Sequence, residues 1–363
     1  MKIKYSLKED RRREPFVPEG KLPFGKERSE HMFLMNYNGE EWEKPRIIPY
    51  GNFEIPPGSV CLHYGQEIFE GAKAFKHEDE EIYMFRIDKN AKRLNYSARR
   101  LCMPEIPVEE QMEAITALVD VDRLWFPEQR NSSLYIRPFM IGTSDSLGVK
   151  PSKEYLYSVI LSPSGPYYSE GFNTISLLLT DEFHRVGPKG TGTAKAGGNY
   201  AASLLAGRTA EEHGCKQVLY TDVFGETIEE AGAMNFYYVE DKKIVIPKFT
   251  DTILRSITTR SMLELSEKLS ADVVQETVYV KDFIEKVKEG RITEAGGLGT
   301  AAVVSPVGRC VVKLNGNGEE LIIGGGEVGP VSEEMYRLLT DIQRGRREAP
   351  EGWLFKAKNR EEV

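Results

Sequence analysis

Residues 190–200 read Gly-Thr-Gly-Thr-Ala-Lys-Ala-Gly-Gly-Asn-Tyr and contain one lysine, Lys195. Its neighbours are glycines, threonines and alanines, and the segment that follows is predicted to be a helix. Small uncharged neighbours let the backbone approach closely and remove water from the amine. A desolvated lysine has a lowered pKa and becomes a nucleophile that can form a Schiff base. The alternative is an ordinary solvated lysine on a glycine-rich turn, and the rest of the chain has to distinguish the two.

The size and composition of the chain limit the class of protein. Its 363 residues suffice for two domains or one large one, and 40% apolar with 29% charged residues is ordinary for a globular protein. The net charge of −8 argues against a general binder of nucleic acids or anionic membranes. No apolar run reaches the length of a membrane span, and the charged N-terminus has no apolar signal region. We therefore expect a cytoplasmic protein that binds neither nucleic acid nor membrane.

The cysteines give no sign of a disulfide framework or a metal site. They are Cys61, Cys102, Cys215 and Cys310, and none of them forms a C-x-x-C pair. His63 lies near Cys61 and His213 near Cys215, but neither pair has the spacing of a zinc finger or ribbon. We expect reduced thiols and no bound metal.

Short predicted strands lie on both sides of a predicted helical pair in the first half of the chain. The strands include residues 31–37, 59–64 and 133–141, and the helices begin at Asp88 and near Pro107. Strands clustered around a helical pair are typical of an α+β fold.

Residues 162–168 are dense in turn formers and are the best candidate for a linker. We predict a small N-terminal α/β domain (residues 1–163), an interdomain linker (164–174) and a large C-terminal domain (175–363).

The predicted C-terminal domain contains further helices and strands. One helix is predicted over residues 199–213, where Gly214 stops it, and another from a cap at Asp251 or Thr252 to about residue 269. Residues 301–304 are predicted to form a strand of small side chains.

Several familiar motifs are absent or incomplete. Thr193 stands where a P-loop beginning at Gly187 needs its lysine. A G-x-G-x-x-G run over residues 324–329 is followed directly by Pro330, and we interpret it as a tight turn rather than a dinucleotide site. The sequence contains no G-x-S-x-G or H-E-x-x-H, and its five histidines offer few general bases. Lysine chemistry is favoured by elimination.

Pyridoxal phosphate chemistry needs a lysine, a carboxylate for the ring nitrogen and donors for the phosphate. Glu229 and Glu230 lie in an otherwise apolar segment, where a buried carboxylate needs a cationic partner. We expect one of them to meet the ring nitrogen, and for Glu229 we favour a solvated hairpin turn. Backbone N–H groups near residues 254–258 and 299–301 are candidates for the phosphate, with an ordinary helix cap and strand end as the alternatives.

The chain resembles the branched-chain amino acid aminotransferases, which are pyridoxal phosphate enzymes of fold type IV, the D-amino-acid-transaminase-like fold. The most specific matching segments are Lys-Ala-Gly-Gly-Asn-Tyr at 195–200, Glu-Ala-Gly-Ala-Met-Asn at 230–235 and Leu-Tyr-Ile-Arg-Pro at 134–138. The others, in chain order, are 22–26, 62–76, 95–104, 146–149 and 299–306. Together they run over nearly the whole chain, so the resemblance implies a two-domain α+β fold with pyridoxal 5'-phosphate in the C-terminal domain.

The resemblance implies a role for each cofactor-binding residue. Lys195 would carry the Schiff base and later move the proton between Cα and the cofactor. Tyr200 would bind the phenolic oxygen, and Glu230 the pyridinium nitrogen. The phosphate would be held by Arg93, the amides of Ile257 and Thr258, and Thr300.

The resemblance also implies the substrates, which are L-leucine, L-isoleucine or L-valine with 2-oxoglutarate. An apolar pocket would be formed by Phe24, Phe69, Tyr135, Tyr200 and Ala233. Tyr64, Leu147 and Val149 would come from the partner subunit of a homodimer. The backbone at Thr300 and Ala301 would hold the α-carboxylate, and Arg137 the side-chain carboxylate of glutamate.

Three features depart from the family pattern. Ala302 and Ser305 stand where some relatives have a C-x-x-C redox pair, so we expect no such thiol switch. Arg255 and Ser256 stand where the family usually has Pro-Gly before the phosphate-binding amides, and Ala233 stands where some relatives have a threonine. Two alternative functions stay open: another enzyme of fold type IV, such as a D-amino acid aminotransferase or an aminodeoxychorismate lyase, and a non-catalytic binding protein that keeps the fold.

Overall fold

The computed structural model of the chain describes residues 1–18, 20, 22–165 and 171–358. Part of the predicted linker, residues 166–170, lies outside these described residues. The strands are β1 (Lys4–Tyr5), β2 (His31–Tyr37), β3 (Trp42–Pro49), β4 (Glu67–Phe69), β5 (Ala72–Lys76), β6 (Ile82–Phe85), β7 (Ser133–Gly142), β8 (Tyr155–Ser164), β9 (Ile175–Thr180), β10 (Gln217–Thr221), β11 (Ile228–Ala231), β12 (Met234–Glu240), β13 (Lys243–Pro247), β14 (Asp272–Glu276), β15 (Ile292–Gly299), β16 (Val303–Leu314), β17 (Asn317–Ile322) and β18 (Leu354–Lys356). The α-helices are α1 (Val60–Tyr64), α2 (Ile87–Arg100), α3 (Val108–Val121), α4 (Gly197–Ala201), α5 (Ser203–Glu212), α6 (Ile257–Glu264), α7 (Val280–Lys288) and α8 (Pro330–Gln343).

The chain forms two compact units, and the first comprises Met1–Ser169, Ala194–Gly197 and Ile342–Val363. Its sheet has the strand order β1-β3-β2-β8-β7-β5-β6-β18, with β4 beside β7. Helices α2 and α3 contribute buried apolar side chains, such as Leu94 and Leu118, to the same core cluster as the strands. Leu94 and Ala98 lie one turn apart on α2 and are both fully buried, so the helix presents one apolar face.

The second unit comprises Glu170–Thr193 and Gly198–Asp341. Its sheet has the order β11-β10-β9-β16-β15-β12-β13-β14, with β17 beside β16. Strand β12 also pairs with β11, so β11, β10, β9, β16, β15 and β12 close into a ring. Because β11 has a neighbour on both sides, all four of its residues are buried.

The segment that carries Lys195 belongs to the first unit, although it follows the second unit's first strand along the chain. The last residues of the chain also belong to the first unit. The predicted ranges placed both segments in the C-terminal domain, and the domain assignment itself stays a prediction.

Four predicted elements differ from the structure. The strand predicted at residues 59–64 is instead helix α1, which begins after Ser59. The helix is followed by Gly65, whose φ of 59° is the left-handed conformation that favours glycine. The predicted helix 199–213 is divided into α4 and α5. The strand predicted at 301–304 begins only at Val303.

The helix predicted from Asp251 or Thr252 to about residue 269 is also shorter than expected. It begins at Ile257, because the Ser256 hydroxyl caps it by accepting a hydrogen bond from the N–H of Thr259 at 3.3 Å. The Thr252 hydroxyl instead donates to the carboxylate of Glu229.

The two sheets with their surrounding helices confirm the predicted α+β class. Within the described residues, no helix combines the length and the apolar character that crossing a membrane requires.

Candidate active site

The backbone of Lys195 is fixed at both of its polar groups within the first unit. Its N–H donates to the hydroxyl of Ser97 on α2 at 2.9 Å, and its carbonyl accepts from the N–H of Phe69 at 3.0 Å. The next residue, Ala196, bridges to Ile68. A Cβ at Gly197 would meet the side chain of Glu67, which would have to shift, so the two segments approach closely here. The lysine therefore lies on a short strand-like segment rather than on a loose turn.

The ring of Phe69 lies near two cationic side chains. The Nζ of Lys195 and the Cζ of Arg137 are each 4.8 Å from its centroid. Arg137 also donates from Nη2 to the hydroxyl of Tyr135 at 3.0 Å, while its buried Nε has no hydrogen-bond partner among the described residues. Two cations beside one ring repel each other, so an anionic ligand group between them would be stabilised. The ring of Phe24, which is 47% exposed, packs edge-on against Tyr135 at 4.7 Å.

Arg93, on α2, is held by a buried carboxylate. Its Nε lies 2.6 Å from Oε1 of Glu70 and its Nη2 lies 2.9 Å from Oε2. Asn90 donates to the same carboxylate at 2.7 Å. Burial acts to raise the pKa of Glu70, but the charges of Arg93 and Lys195 and these hydrogen bonds hold the pKa below its ordinary value. Glu70 is therefore an anion that orients Arg93.

Three predicted substrate-binding residues are exposed on the first unit. Tyr64 on α1 is 42% exposed, and Leu147 and Val149, in the loop after β7, are 70% and 85% exposed. The Tyr64 hydroxyl donates to the Leu147 carbonyl, so the two segments are adjacent.

Glu230 lies in the second unit, buried on β11 with 3% of its surface exposed. Its Oε2 lies 2.6 Å from the Nε of Arg185, which is 8% exposed. Its Oε1 accepts from Nδ2 of Asn235 at 2.6 Å and from the N–H of Leu254 at 3.2 Å. A buried carboxylate with a cationic partner is what the sequence predicts, and the partner within the chain is an arginine.

Glu229 is buried, and the prediction of a solvated turn was wrong. Only 5% of its surface is exposed, because β11 is covered by a strand on either side. Burial raises the pKa of Glu229 to about 7, against the hydrogen bond from Thr252 and with help from the charges of Glu230 and Asp222. Its Oε2 has no hydrogen-bond partner among the described residues.

The first two amides of α6 belong to Ile257 and Thr258. Ser256 caps the third amide, that of Thr259, so its hydroxyl leaves the first two for another acceptor. Arg255, which departs from the family pattern, is exposed at the start of this turn. The amides of Ile257 and Thr258 are therefore suited to an anion such as a phosphate.

The remaining predicted residues of the second unit lie in helix α4 and in two turns. Tyr200 on α4 is half-buried. Glu230 pairs with Asn235, and Asn235 in turn pairs with Leu298, so the turn that holds Ala233 lies beside the turn that holds Thr300 and Ala301. Ala233 is exposed, while Thr300 and Ala301 are half-buried.

Among the described residues, one group of side chains has distances that would suit a metal ion: Glu30, His31 and Asp122. Its histidine is already engaged, because Nδ1 lies 2.6 Å from Asp122 and Nε2 accepts from the N–H of Lys8 at 3.0 Å. We interpret the group as a structural contact.

Several residues of the site were missed by the sequence interpretation. Glu70 and Ser97 lie inside the matching segments 62–76 and 95–104, but their contacts with Arg93 and Lys195 depend on how α2 packs. Arg185 lies outside every matching segment, and an arginine in a loop gives no local signal of a buried ion pair.

Comparisons with known proteins identify the family of the chain. The family model for amino-transferase class IV matches residues 67–310. Branched-chain-amino-acid transaminase 1 of Bacillus subtilis (strain 168) is 41% identical over 335 residues, which cover 92% of this chain and 93% of that protein.

Solved structures show the same likeness. The T.th. branched-chain amino acid aminotransferase with pyridoxamine 5'-phosphate has a TM-score of 0.74 and 28% identity, covering 91% of this chain and 99% of that one. The same enzyme complexed with N-(5'-phosphopyridoxyl)-L-glutamate has a TM-score of 0.72 and 26% identity over the same shares. The predicted family is confirmed: the chain belongs to the class IV amino-transferase family, among the branched-chain-amino-acid aminotransferases.

Proposed function

We propose that this enzyme moves the amino group of L-leucine, L-isoleucine or L-valine to 2-oxoglutarate, reversibly, with its cofactor bound covalently to Lys195. Class IV aminotransferases use pyridoxal 5'-phosphate, so the predicted cofactor is confirmed. When bound, this group supplies an electron sink for the bond that breaks at the substrate's Cα. The Nζ of Lys195 would bind the cofactor and then move the proton at that carbon.

The chain has the donors and acceptors that this cofactor needs. Glu230 would accept from the ring nitrogen and Tyr200 would donate to the phenolic oxygen. Arg93, Thr300 and the amides of Ile257 and Thr258 would hold the phosphate. The buried, hydrogen-bonded carboxylate of Glu230 supports this fit, because a carboxylate in that setting is suited to a cationic ring.

The placement of Arg137 carries the proposal for the two kinds of substrate. It shares the Phe69 ring with Lys195, so an acidic side chain bound near the reacting amine would meet a guanidinium. Phe24, Phe69, Tyr135, Tyr200 and Ala233 would contact a branched side chain instead. The α-carboxylate would be bound by the backbone of Thr300 and Ala301. The T.th. relative complexed with a phosphopyridoxyl glutamate supports glutamate as one partner.

Substitution of Lys195 tests the proposal. Lys195→Ala should abolish amino transfer from leucine to 2-oxoglutarate and the visible absorbance of the bound cofactor. Lys189→Ala is the matched control, because that lysine is exposed in the same loop, and it should keep both. Full activity in Lys195→Ala would overturn the proposal. If the wild type acts on D- rather than L-amino acids, it is another enzyme of fold type IV. If the purified wild type is colourless and inactive, it is a non-catalytic binding protein.

We further propose that the enzyme is a cytoplasmic homodimer, in which Tyr64, Leu147 and Val149 complete the partner's pocket. The support is the exposure of these apolar side chains together with Leu62, which is 59% exposed. Sedimentation velocity should give a dimer for the wild type. The double variant Leu147→Asp, Val149→Asp should shift it towards monomer and lose activity, since the pocket would be incomplete. A monomeric, active wild type would contradict the proposal.

A further inference from the structure

Arg185 contacts three segments of the second unit at once. Its Nε lies 2.6 Å from Oε2 of Glu230, and its Nη1 donates to the carbonyls of Thr252 at 2.8 Å and Gly192 at 3.3 Å. Gly192 belongs to the loop that leads to Lys195, and Thr252 to the loop that leads to α6. A Cβ at Gly192 would collide with the backbone of Thr252, so these two loops are in direct contact.

We propose that Arg185 is a positioning residue that keeps Glu230 ionised and aligned for the ring nitrogen of the cofactor. This inference rests on the proposed function, because it assumes that Glu230 faces that nitrogen.

The charge state of Glu230 follows from its surroundings. A carboxyl that is 3% exposed would favour its neutral form unless a cation or hydrogen-bond donors stabilised the charge. The guanidinium of Arg185 supplies the cation, and Asn235 and Leu254 supply two donors to the other oxygen. All three contacts stabilise the carboxylate more strongly than the neutral acid.

The charge state of Glu230 determines the position of the proton in its hydrogen bond with the ring nitrogen. A carboxylate can only accept, so the proton of the hydrogen bond stays on the ring nitrogen. A neutral Glu230 would donate its own proton to an uncharged nitrogen. Arg185 stabilises the carboxylate directly at 2.6 Å, so a proton shared between Glu230 and the ring nitrogen would be favoured on the nitrogen. A protonated ring is the stronger electron sink.

Glu229 stabilises the position of Arg185 indirectly, through Thr252. It accepts a hydrogen bond from the hydroxyl of Thr252, and this bond fixes the residue whose carbonyl accepts from Arg185. Because burial raises the pKa of Glu229 to about 7, this second carboxyl is mostly neutral below that pH and there competes weakly with Glu230 for the guanidinium of Arg185.

The test measures the protonation of the ring nitrogen by ¹⁵N NMR of enzyme loaded with ring-¹⁵N pyridoxal 5'-phosphate. The wild type and Arg185→Lys should give a pyridinium-type shift, because both keep the cation. Arg185→Gln should move the shift towards that of neutral pyridine. Arg309→Gln is the matched control, since Arg309 pairs with Glu320 in the same unit at 2.9 Å, and it should leave the shift unchanged.

Steady-state kinetics give the second measurement. Arg185→Gln should lower kcat by about tenfold or more, with a much smaller change in KM for 2-oxoglutarate. Arg185→Lys should recover a large part of kcat.

Either of two NMR results would overturn the inference. One is a pyridine-type shift in the wild type at neutral pH, which can be measured even if Arg185→Gln fails to fold. The other is an unchanged pyridinium shift in a folded Arg185→Gln. Neither depends on the Lys195→Ala result, so failure of this inference and failure of the proposed function are distinguishable.

Discussion

The side chains around Tyr135 show how a single small residue can control the site. Gly71 follows Glu70 in the chain and donates its N–H to that carboxylate at 3.1 Å. A Cβ on Gly71 would occupy the space of the Tyr135 hydroxyl. That hydroxyl accepts from Nη2 of Arg137 at 3.0 Å, so glycine at position 71 leaves room for the contact that orients Arg137.

Gly71→Ala should therefore weaken recognition of the acidic substrate. The added methyl would push the buried Tyr135 ring away and remove its hydrogen bond to Arg137. We expect KM for 2-oxoglutarate to rise about tenfold, the equivalent of roughly 1.4 kcal/mol, while KM for leucine changes less. Gly51→Ala, at an exposed position of the same unit with open space around it, is the control. Equal changes for both substrates, or none, would contradict this role for Gly71.

Helix α2 explains why one element contributes several site residues. Arg93 and Ser97 lie one turn apart on it, so the same helix orients the proposed phosphate ligand and pins the backbone of Lys195. The sequence predicts this helix and, by resemblance, Arg93. It does not predict Ser97, because the contact joins residues that are 98 positions apart.

Helix α1 shows why some local patterns mislead. Val60, Leu62 and Tyr64 alternate with polar or small residues, which favours a strand. In the structure they lie on a short helix, and Leu62 and Tyr64 are exposed rather than buried. Alternation predicts a strand only when one face is buried within the chain. Here the exposed side chains belong to the surface that we propose for the partner subunit.

Across the whole molecule, the sequence predicts the family and the α+β class well. It predicts less well which charged side chains are buried. The matching segments predict Lys195, Glu230 and Arg137 as site residues, because the proposed chemistry needs those residue types. Glu229 is buried on strand β11, which has neighbours on both sides, and only the sheet order reveals this position. Such long-range pairing has no local signature in the chain.

Burial of Glu229 has a consequence for the stability of the enzyme. Its carboxyl has an ordinary pKa of 4.5 and a pKa raised to about 7 in the folded protein, so the folded state binds this proton more tightly. The contribution of Glu229 to stability is therefore unaffected below about pH 4.5. It becomes progressively more unfavourable as the pH rises towards about 7 and stays constant above that.

Glu229→Gln removes this titration and keeps an acceptor for Thr252. Relative to the wild type, the variant should gain stability between about pH 5 and about pH 8, by up to roughly 3 kcal/mol at 1.36 kcal/mol per pKa unit. Thermal unfolding of both holoenzymes across this range measures the gain as a growing difference in Tm. Glu226→Gln, which alters an exposed carboxyl near β11, should give a difference that does not change with pH. If the difference in Tm between Glu229→Gln and the wild type does not change with pH, the carboxyl of Glu229 is already ionised in the folded wild type at about pH 5. Thr252 and Arg185 would then stabilise its charge.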